Sequence, residues 1–202
     1  MSSVADFWDQ RFTGAKLVYG AEPNAFLVRQ RHRLEPGMAV LAPGDGEGRN
    51  GVWLAQQGMR VTSVDASAVG LAKALRLALD RGVSLKTECA DLTTWDWPQG
   101  RFDAAVLFYL HLPPEARRMV HGRLADSLKP GGWLILEAFH PDQTIHRTGG
   151  PGDPAMLYDL ATLRQDFAAL KEVEAEEALI ELDAGHAHSG QGAVTRFVAR
   201  RA

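Results

Sequence analysis

The sequence predicts an α/β fold: a mostly parallel sheet covered by helices and closed by an antiparallel hairpin. Three observations carry this. Short apolar runs alternate with segments of helical spacing from residue 38 to residue 139, as βαβ units with right-handed crossovers require. Phe102 to Phe108 and Trp133 to Phe139 are nearly continuous apolar runs, which fits strands covered by helices on both faces. The last two strand candidates, Val173 to Leu182 and Ala193 to Arg200, are joined by a His-, Gly- and Ser-rich loop with no helix between them, so they pair antiparallel.

The chain opens on a helix from Val4 to Phe12 with Ser3 as its N-cap. Gly14 and Tyr19-Gly20 mark a loop, and Pro23 and Asn24 begin a second helix that carries Phe26, Leu27 and Leu34 and stops at Pro36-Gly37. Met38 to Ala42, Arg60 to Val64 and Ser84 to Cys89 are the first three strands, with a helix starting near Asn50 after the first. Ala66 to Arg81 is expected to be a helix burying Val69, Leu71, Leu75 and Leu79. Glu115 to Leu128 places Met119, Val120, Leu124 and Leu128 at helical spacing, and Pro114 suits its first turn. Lys129-Pro130-Gly131-Gly132 turns the chain into the fifth strand. His140 to Tyr158 is a long connection of the kind that forms lids and binding loops.

Composition narrows the classes. The 202 residues read as one domain, with 1–36 a helical cover and 37–202 the α/β core. Being 46% hydrophobic and 23% charged excludes a disordered chain. A net charge of −3 speaks against a nucleic-acid surface. No apolar stretch approaches the ~20 residues of a membrane helix. Met1 to Asp6 has neither the basic nor the apolar region of a secretory signal, so a cytoplasmic protein without a membrane partner is expected. Cys89 is the single cysteine, which leaves no internal disulfide and no multi-cysteine metal site. Monomer and homodimer are both open.

The chemistry centres on Pro43-Gly44-Asp45-Gly46-Glu47-Gly48-Arg49, between the first strand and its helix. Alternate glycines let a backbone turn sharply and approach a ligand, and they aim a helix N-terminus at it. A tight turn with no ligand has the same pattern. Asp65 ends the second strand about 20 residues on, where a carboxylate accepts from ribose hydroxyls; it can equally cap the next helix, a task Ser67 can also perform. Asp91, after the third strand, either accepts from an adenine amino group or caps its own loop. All three lie at carboxyl ends of neighbouring strands, the edge where open α/β sheets bind ligands.

These residues resemble a class I S-adenosylmethionine (SAM)-dependent methyltransferase, and more narrowly the tellurite-resistance and thiopurine-methyltransferase-like branch. The resemblance is carried by Trp8-Asp9-Gln10-Arg11-Phe12, Val18-Tyr19-Gly20-Ala21-Glu22-Pro23-Asn24, Gly44 to Asn50, Val64-Asp65-Ala66-Ser67, Leu128 to Gly132 and Thr148-Gly149-Gly150-Pro151. It implies a Rossmann-like, seven-stranded sheet with an antiparallel C-terminal strand and N-terminal helices over the site. It implies SAM as cofactor, with S-adenosylhomocysteine (SAH) as product. It implies Gly44, Asp45, Gly46, Gly48 and Arg49 at the methionine portion, Asp65 and Ala66 at the ribose, Asp91 and Leu92 at the adenine, Phe108 and Tyr109 lining the cofactor, and Tyr19 covering the methyl group. One departure stands out: the family's acidic residue two places before the first glycine is Ala42 here. Asp45 or Glu47 is a candidate replacement.

Methyl transfer from a sulfonium asks the protein mainly for orientation and desolvation. A neutral acceptor additionally asks for a base, most often histidine. His111, His140, His186 and His188 are all expected near the ligand edge, with His111 the first candidate base, His188 the second and His140 the third; solvated loop residues or caps are the bland reading. No metal site is expected. Trp8, Tyr109 and Arg147 are candidate acceptor-binding residues, Arg147 for an anionic group, though Arg147 also reads as a solvated arginine and Trp8 as packing. Arg49 either meets the cofactor carboxylate or braces a neighbouring acid. The leading expectation is transfer to a small-molecule acceptor, a soft nucleophile or an oxyanion. A SAM- or SAH-binding module without turnover is the alternative, and a nicotinamide-dependent oxidoreductase is a third reading for which the chain is short.

Overall fold

The computed structural model describes residues 3–146, 148–185 and 188–202, without the side chains of residues 183, 184, 188 and 189. Seven strands form one sheet: β1 (Ala39–Pro43), β2 (Arg60–Asp65), β3 (Lys86–Cys89), β4 (Phe102–Phe108), β5 (Leu128–Phe139), β6 (Leu170–Ala184) and β7 (His188–Arg201). Their order is β3-β2-β1-β4-β5-β7-β6. The pairs among β1 to β5 are parallel, and β7 runs antiparallel to both β5 and β6. The order reverses between β1 and β4, and a crevice at such a reversal is where this class of sheet takes its ligands.

Helices cover both faces. On one, Val120 and Leu124 of α5 (Pro114–Ser127) and Leu163 of α7 (Leu160–Asp166) pack with Phe167 on Leu41, Leu107, Leu136 and Phe197. On the other, α2 (Ala25–Arg29), α3 (Arg49–Gln56) and α4 (Ala68–Asp80) bring Phe26, Leu27, Val52, Leu54, Ala74 and Ala78 onto Val40, Val106, Ile135 and Val198. The first helix, α1 (Val4–Phe12), is closed by a capping box between Ser3 and Asp6 and lies on α4. No helix among the described residues is long and apolar enough to cross a membrane.

Several elements differ from the sequence reading. In α4 the inward stripe is Gly70, Leu71, Ala74 and Ala78, while Leu75 and Leu79 are 46% and 70% exposed. Small residues four apart let the helix sit close over the glycine loop, and that rotation turns the two leucines outward. The second helix lasts only five residues before a 3-10 turn, Gln30–Arg33. The long connection after β5 contains α6 (Gln143–His146) and a 3-10 turn, Pro154–Met156, and α7 follows it, capped by Asp159 accepting from the Thr162 amide. The terminal hairpin is longer than its apolar residues suggest, since β6 begins at Leu170 and β7 at His188. Backbone pairing carries a strand through polar residues that periodicity alone assigns to a loop.

The α4 rotation has a measurable consequence. Leu71→Ala should cost about 2–5 kcal/mol in urea unfolding, the range for truncating a buried leucine, whereas Leu79→Ala should stay within about 0.5 kcal/mol of the parent. Equal losses would mean the helix faces the other way.

Candidate functional site

The loop between β1 and α3 is built on three left-handed glycines, Gly44 (φ 66°), Gly46 (φ 55°) and Gly48 (φ 82°). Side chains would fail there for space as well as for φ. A Cβ on Gly48 would lie 2.5 Å from the Ala74 Cβ, and one on Gly46 would lie 3.1 Å from the Phe12 ring. The loop is pinned from below by Asp65, at the end of β2. One Asp65 oxygen accepts from the Gly46 amide and the other from the Ser67 amide, both at 2.8 Å. Burial raises the Asp65 pKa against these bonds. Ser67 caps α4 by accepting from the Gly70 amide at 2.9 Å, so Asp65 is not that helix's cap.

Asp45 and Glu47 are both turned into the protein. The Asp45 carboxylate accepts from the Ser63 hydroxyl at 2.6 Å and the Gly51 amide at 3.2 Å. Gly51 has no room for a Cβ beside it. Ser63 is the register partner of Ala42, so the two share one face of the sheet. Glu47, 4% exposed, accepts from the Val18 amide at 2.7 Å and from the Lys73 ammonium at 2.8 Å, and Lys73 also donates to the Lys16 carbonyl. The carboxylate near Ala42 is thus spent on Ser63 and Gly51, and Glu47 is spent on the cover. The Asp45 side chain therefore points into the protein, not out of the loop.

The N-terminal segment folds over this loop. Asp9 accepts from the Ser67 hydroxyl at 2.5 Å and the Val69 amide at 3.1 Å, and these bonds lower its pKa. Phe12 packs on Gly46 and Gly70, Trp8 stacks on Phe12 at 5.5 Å, and Tyr19 meets Phe12 edge-on at 6.4 Å. Arg49, at the first turn of α3, reaches the Tyr19 carbonyl with a single long bond of 3.4 Å. Desolvation lowers its pKa, opposed by Tyr109, Glu137 and Asp45 nearby. At the tip of the hairpin, Gly185 abuts the backbone of Val18 to Gly20.

A buried carboxylate that sequence reasoning missed organises the far side. Glu137, on β5 and 1% exposed, accepts from the Asn24 amide group at 2.5 Å, the Tyr109 hydroxyl at 2.8 Å and Arg196 at 2.5 Å. Arg196 is its cross-strand partner on β7 and also holds Glu176. The signal was available: a lone acid inside the apolar run Leu134 to Phe139, and a lone arginine inside Ala193 to Ala199. Tyr109 follows β4 at φ 54°, and its ring lies 4.6 Å from that of Phe139.

The remaining candidates fall in different places. His111 Nδ1 donates to the Met156 carbonyl at 2.7 Å and its Nε2 accepts from the Phe139 amide at 3.4 Å. Burial pushes its pKa down to about 4, so the ring is neutral with both nitrogens on backbone groups. His140 Nδ1 accepts from the Asp142 amide, and Nε2 stands 3.6 Å from Glu177. Asp91 is exposed, and one of its oxygens takes both the amide and the hydroxyl of Thr93. Leu92 is buried in the core cluster that holds Trp97. Phe108 is buried beneath the edge. Ala66 lies between Asp65 and the α4 cap, its carbonyl accepting from the Cys89 thiol. His188 starts β7, but its side chain, like His186 and Arg147, lies outside the described residues. A cleft of about 330 Å³ next to the rim is lined by Gln143, Thr144 and Gly149 to Gly152. Among the described residues no cluster of histidine, cysteine and carboxylates could hold a metal.

Asp45 makes stability fall with pH. Burial pushes its pKa from 3.8 up to about 7, so the folded chain keeps a proton that the unfolded chain releases. Its contribution is complete below about pH 4 and is lost as pH rises through 7. Asp45→Asn should therefore flatten the decline in melting temperature between pH 5 and pH 8; an unchanged slope would assign the decline to other groups.

Comparison with known proteins agrees with this geometry. Residues 40–132 match the family model described as a methyltransferase domain. The chain is 33% identical over 135 residues to the cypemycin N-terminal methyltransferase of a Streptomyces species, an alignment covering 63% of this chain and 53% of that relative. The chain thus spans about half the length of the curated relative it matches. Among solved structures, one from work on the conversion of a disulfide bond into a thioacetal group during echinomycin biosynthesis superposes with TM-score 0.81 at 20% identity, over 98% of this chain and 92% of that one. The N-methyltransferase NodS from Bradyrhizobium japonicum WM9, in complex with SAH, gives TM-score 0.71 at 16% identity over 99% of each chain. TehB from Haemophilus influenzae gives 0.72 at 17% identity, over 98% of this chain and 67% of that one. At these identities the structures show the fold, and the methyltransferase-domain match spans residues 40–132, just under half of the chain.

Proposed function

We propose that the chain transfers a methyl group from SAM to an amine, or alternatively a soft nucleophile, of a small natural-product acceptor. The observation that carries this is the pairing, across one glycine loop, of Asp65 with an under-satisfied Arg49. Asp65 keeps a second lone pair on each oxygen beyond the bonds to Gly46 and Ser67. Arg49 offers five N–H donors and, among the described residues, spends one, at 3.4 Å. An acid suited to ribose hydroxyls and a cation suited to a carboxylate fit the two ends of SAM. Asp91 has an oxygen left for the adenine amino group. When bound, the cofactor supplies a methyl group activated on a sulfonium.

The chain's own part is placement and exclusion of water. Phe12, Trp8 and Tyr19 roof the loop, and Tyr109 stands at the end of β4. His111 acts as a brace between β5 and the Pro154–Met156 turn, and the acceptor loses its proton to solvent. The amine assignment follows the cypemycin relative, named for methylation at an N-terminus. The narrower tellurite-resistance and thiopurine branch rests on Tyr19 to Asn24 joined to Gly46 to Asn50. A second reading, cofactor binding without turnover, is favoured by both His111 nitrogens being committed to backbone.

Titration calorimetry with SAH, with NADH as comparison, tests the cofactor. One-site SAH binding is expected, and its absence at millimolar ligand would sink the proposal. Asp65→Ala should weaken SAH binding by about 1–3 kcal/mol, the cost of losing hydrogen bonds to a charged acceptor. Mass spectrometry after incubation with SAM and short peptides, free or acetylated at the N-terminus, tests the acceptor. A gain of one methyl group on the free peptides alone is expected. SAH binding with no transfer to amines, thiols or oxyanions would favour the binding module.

A further inference from the structure

Tyr109 is the single non-glycine residue with positive φ among the described residues, at 54°. A bulky side chain in that region is strained, and such strain persists where the surroundings over-determine it, often at functional sites. Glycine would take the same backbone without strain, as it does at Gly44, Gly46 and Gly48. The backbone conformation alone therefore gives no reason for a tyrosine here.

One residue holds Tyr109 at both ends. Its amide donates to the Glu137 carbonyl at 2.9 Å, and its hydroxyl donates to Glu137 Oε1 at 2.8 Å. The ring is wedged against Phe139, two places further along β5. The same Oε1 accepts from Asn24 Nδ2 at 2.5 Å, while Arg196 neutralises Oε2 at 2.5 Å. Burial and Glu137 together raise the Tyr109 pKa well above 10, so the hydroxyl keeps its proton and directs it at Glu137. Tyr109 also stands at the ligand edge: it follows Phe108 in β4, Leu110 beside it packs against Gly44, and the Arg49 charge acts on it.

We propose that Glu137 is a positioning residue for methyl transfer: it clamps Tyr109 in its strained backbone so that the ring forms the wall of the acceptor site, and through Asn24 it couples that wall to the N-terminal cover. The inference rests on the transfer reading above. Glu137 touches neither cofactor nor acceptor; it acts through Tyr109. Tyr109 in turn bears on the acceptor and not on the adenosine end, which Asp65 and Asp91 hold on the other side of the loop.

The test compares the parent chain with Tyr109→Phe, Glu137→Gln and the double variant. The probe is a short peptide with a free N-terminal alanine, with SAH affinity measured in parallel. Tyr109→Phe removes the hydroxyl end of the clamp and leaves the Glu137–Arg196 pair intact, so it decides the matter even if Glu137→Gln fails to fold. Each single variant should lower kcat/KM for the peptide about tenfold or more while SAH affinity stays within about threefold. The double variant should be no worse than the worse single one, as expected for residues acting as one unit. Unchanged kinetics in Tyr109→Phe with a lower melting temperature, additive losses in the double variant, or SAH affinity lost in step with turnover would each overturn the inference while leaving the transfer reading in place. A parent chain that binds SAH but methylates no probe overturns the transfer reading, and this inference with it.

Discussion

A single buried carboxylate ties the molecule's separate parts together. Glu137 has almost no solvent contact, and its charge is tolerable only because Arg196 faces it across the β5–β7 ladder and neutral donors complete its shell. Removing one partner of such a pair leaves an uncompensated buried charge, which costs far more than the pair contributes. Through this one group the N-terminal segment, the end of β4 and the antiparallel strand are held in mutual register. The requirement extends outward, because Arg196 also pairs with Glu176 of β6, and Arg29 of α2 pairs with the same acid.

Around the glycine loop the acids do structural work that the loop's own composition does not suggest. Asp65 ties the loop to α4, Asp9 ties α1 to α4, and Glu47 ties the Val18 segment down through an amide and Lys73. The three glycines serve closeness of packing as much as access for a ligand, since each faces protein where its Cβ would be: Leu110, Phe12 and Ala74. A roof fastened by hydrogen-bonded carboxylates covers the loop while keeping each fastening individually modest.

The strand–helix alternation, the glycine loop, the Ser3 and Ser67 caps and the terminal hairpin were legible because each is written in local pattern: period, turn residue or cap. The α4 rotation was not, because leucines are the stronger hydrophobic signal and only the neighbouring loop reveals that small residues must face inward. The short helix α7 has too few turns for a periodic signal, although the Asp159 cap and the helix formers that follow it mark its start. For the site, Asp65 could be placed by its spacing from the glycines. The direction of the Asp45 carboxylate could not, since it depends on the gaps left by Gly51 and Ser63. Glu137 and Arg196 were conspicuous as charges in apolar runs, but they lie 59 residues apart, and only the β5–β7 register shows that they meet. His111 looked like a base by position; the backbone groups that occupy it belong to β5 and to a turn 45 residues away.

The ion pairs from the second helix to the edge strand also set an order of assembly. Arg29 and Arg33 meet Glu174 and Glu176 of β6, and Asn24 meets an oxygen whose charge Arg196 balances. During synthesis the chain emerges from its N-terminus, so the first forty residues leave the ribosome long before any of these partners exists. The first helix can dock once α4 is made, whereas the second helix waits for β6 and β7. Phe26 and Leu27, which share a core with Ile135 and Val198, stay partly uncovered until β7 has been made. Contacts of such long sequence separation are slow to form, and the interval before they close is when this chain is most open to aggregation and to chaperones.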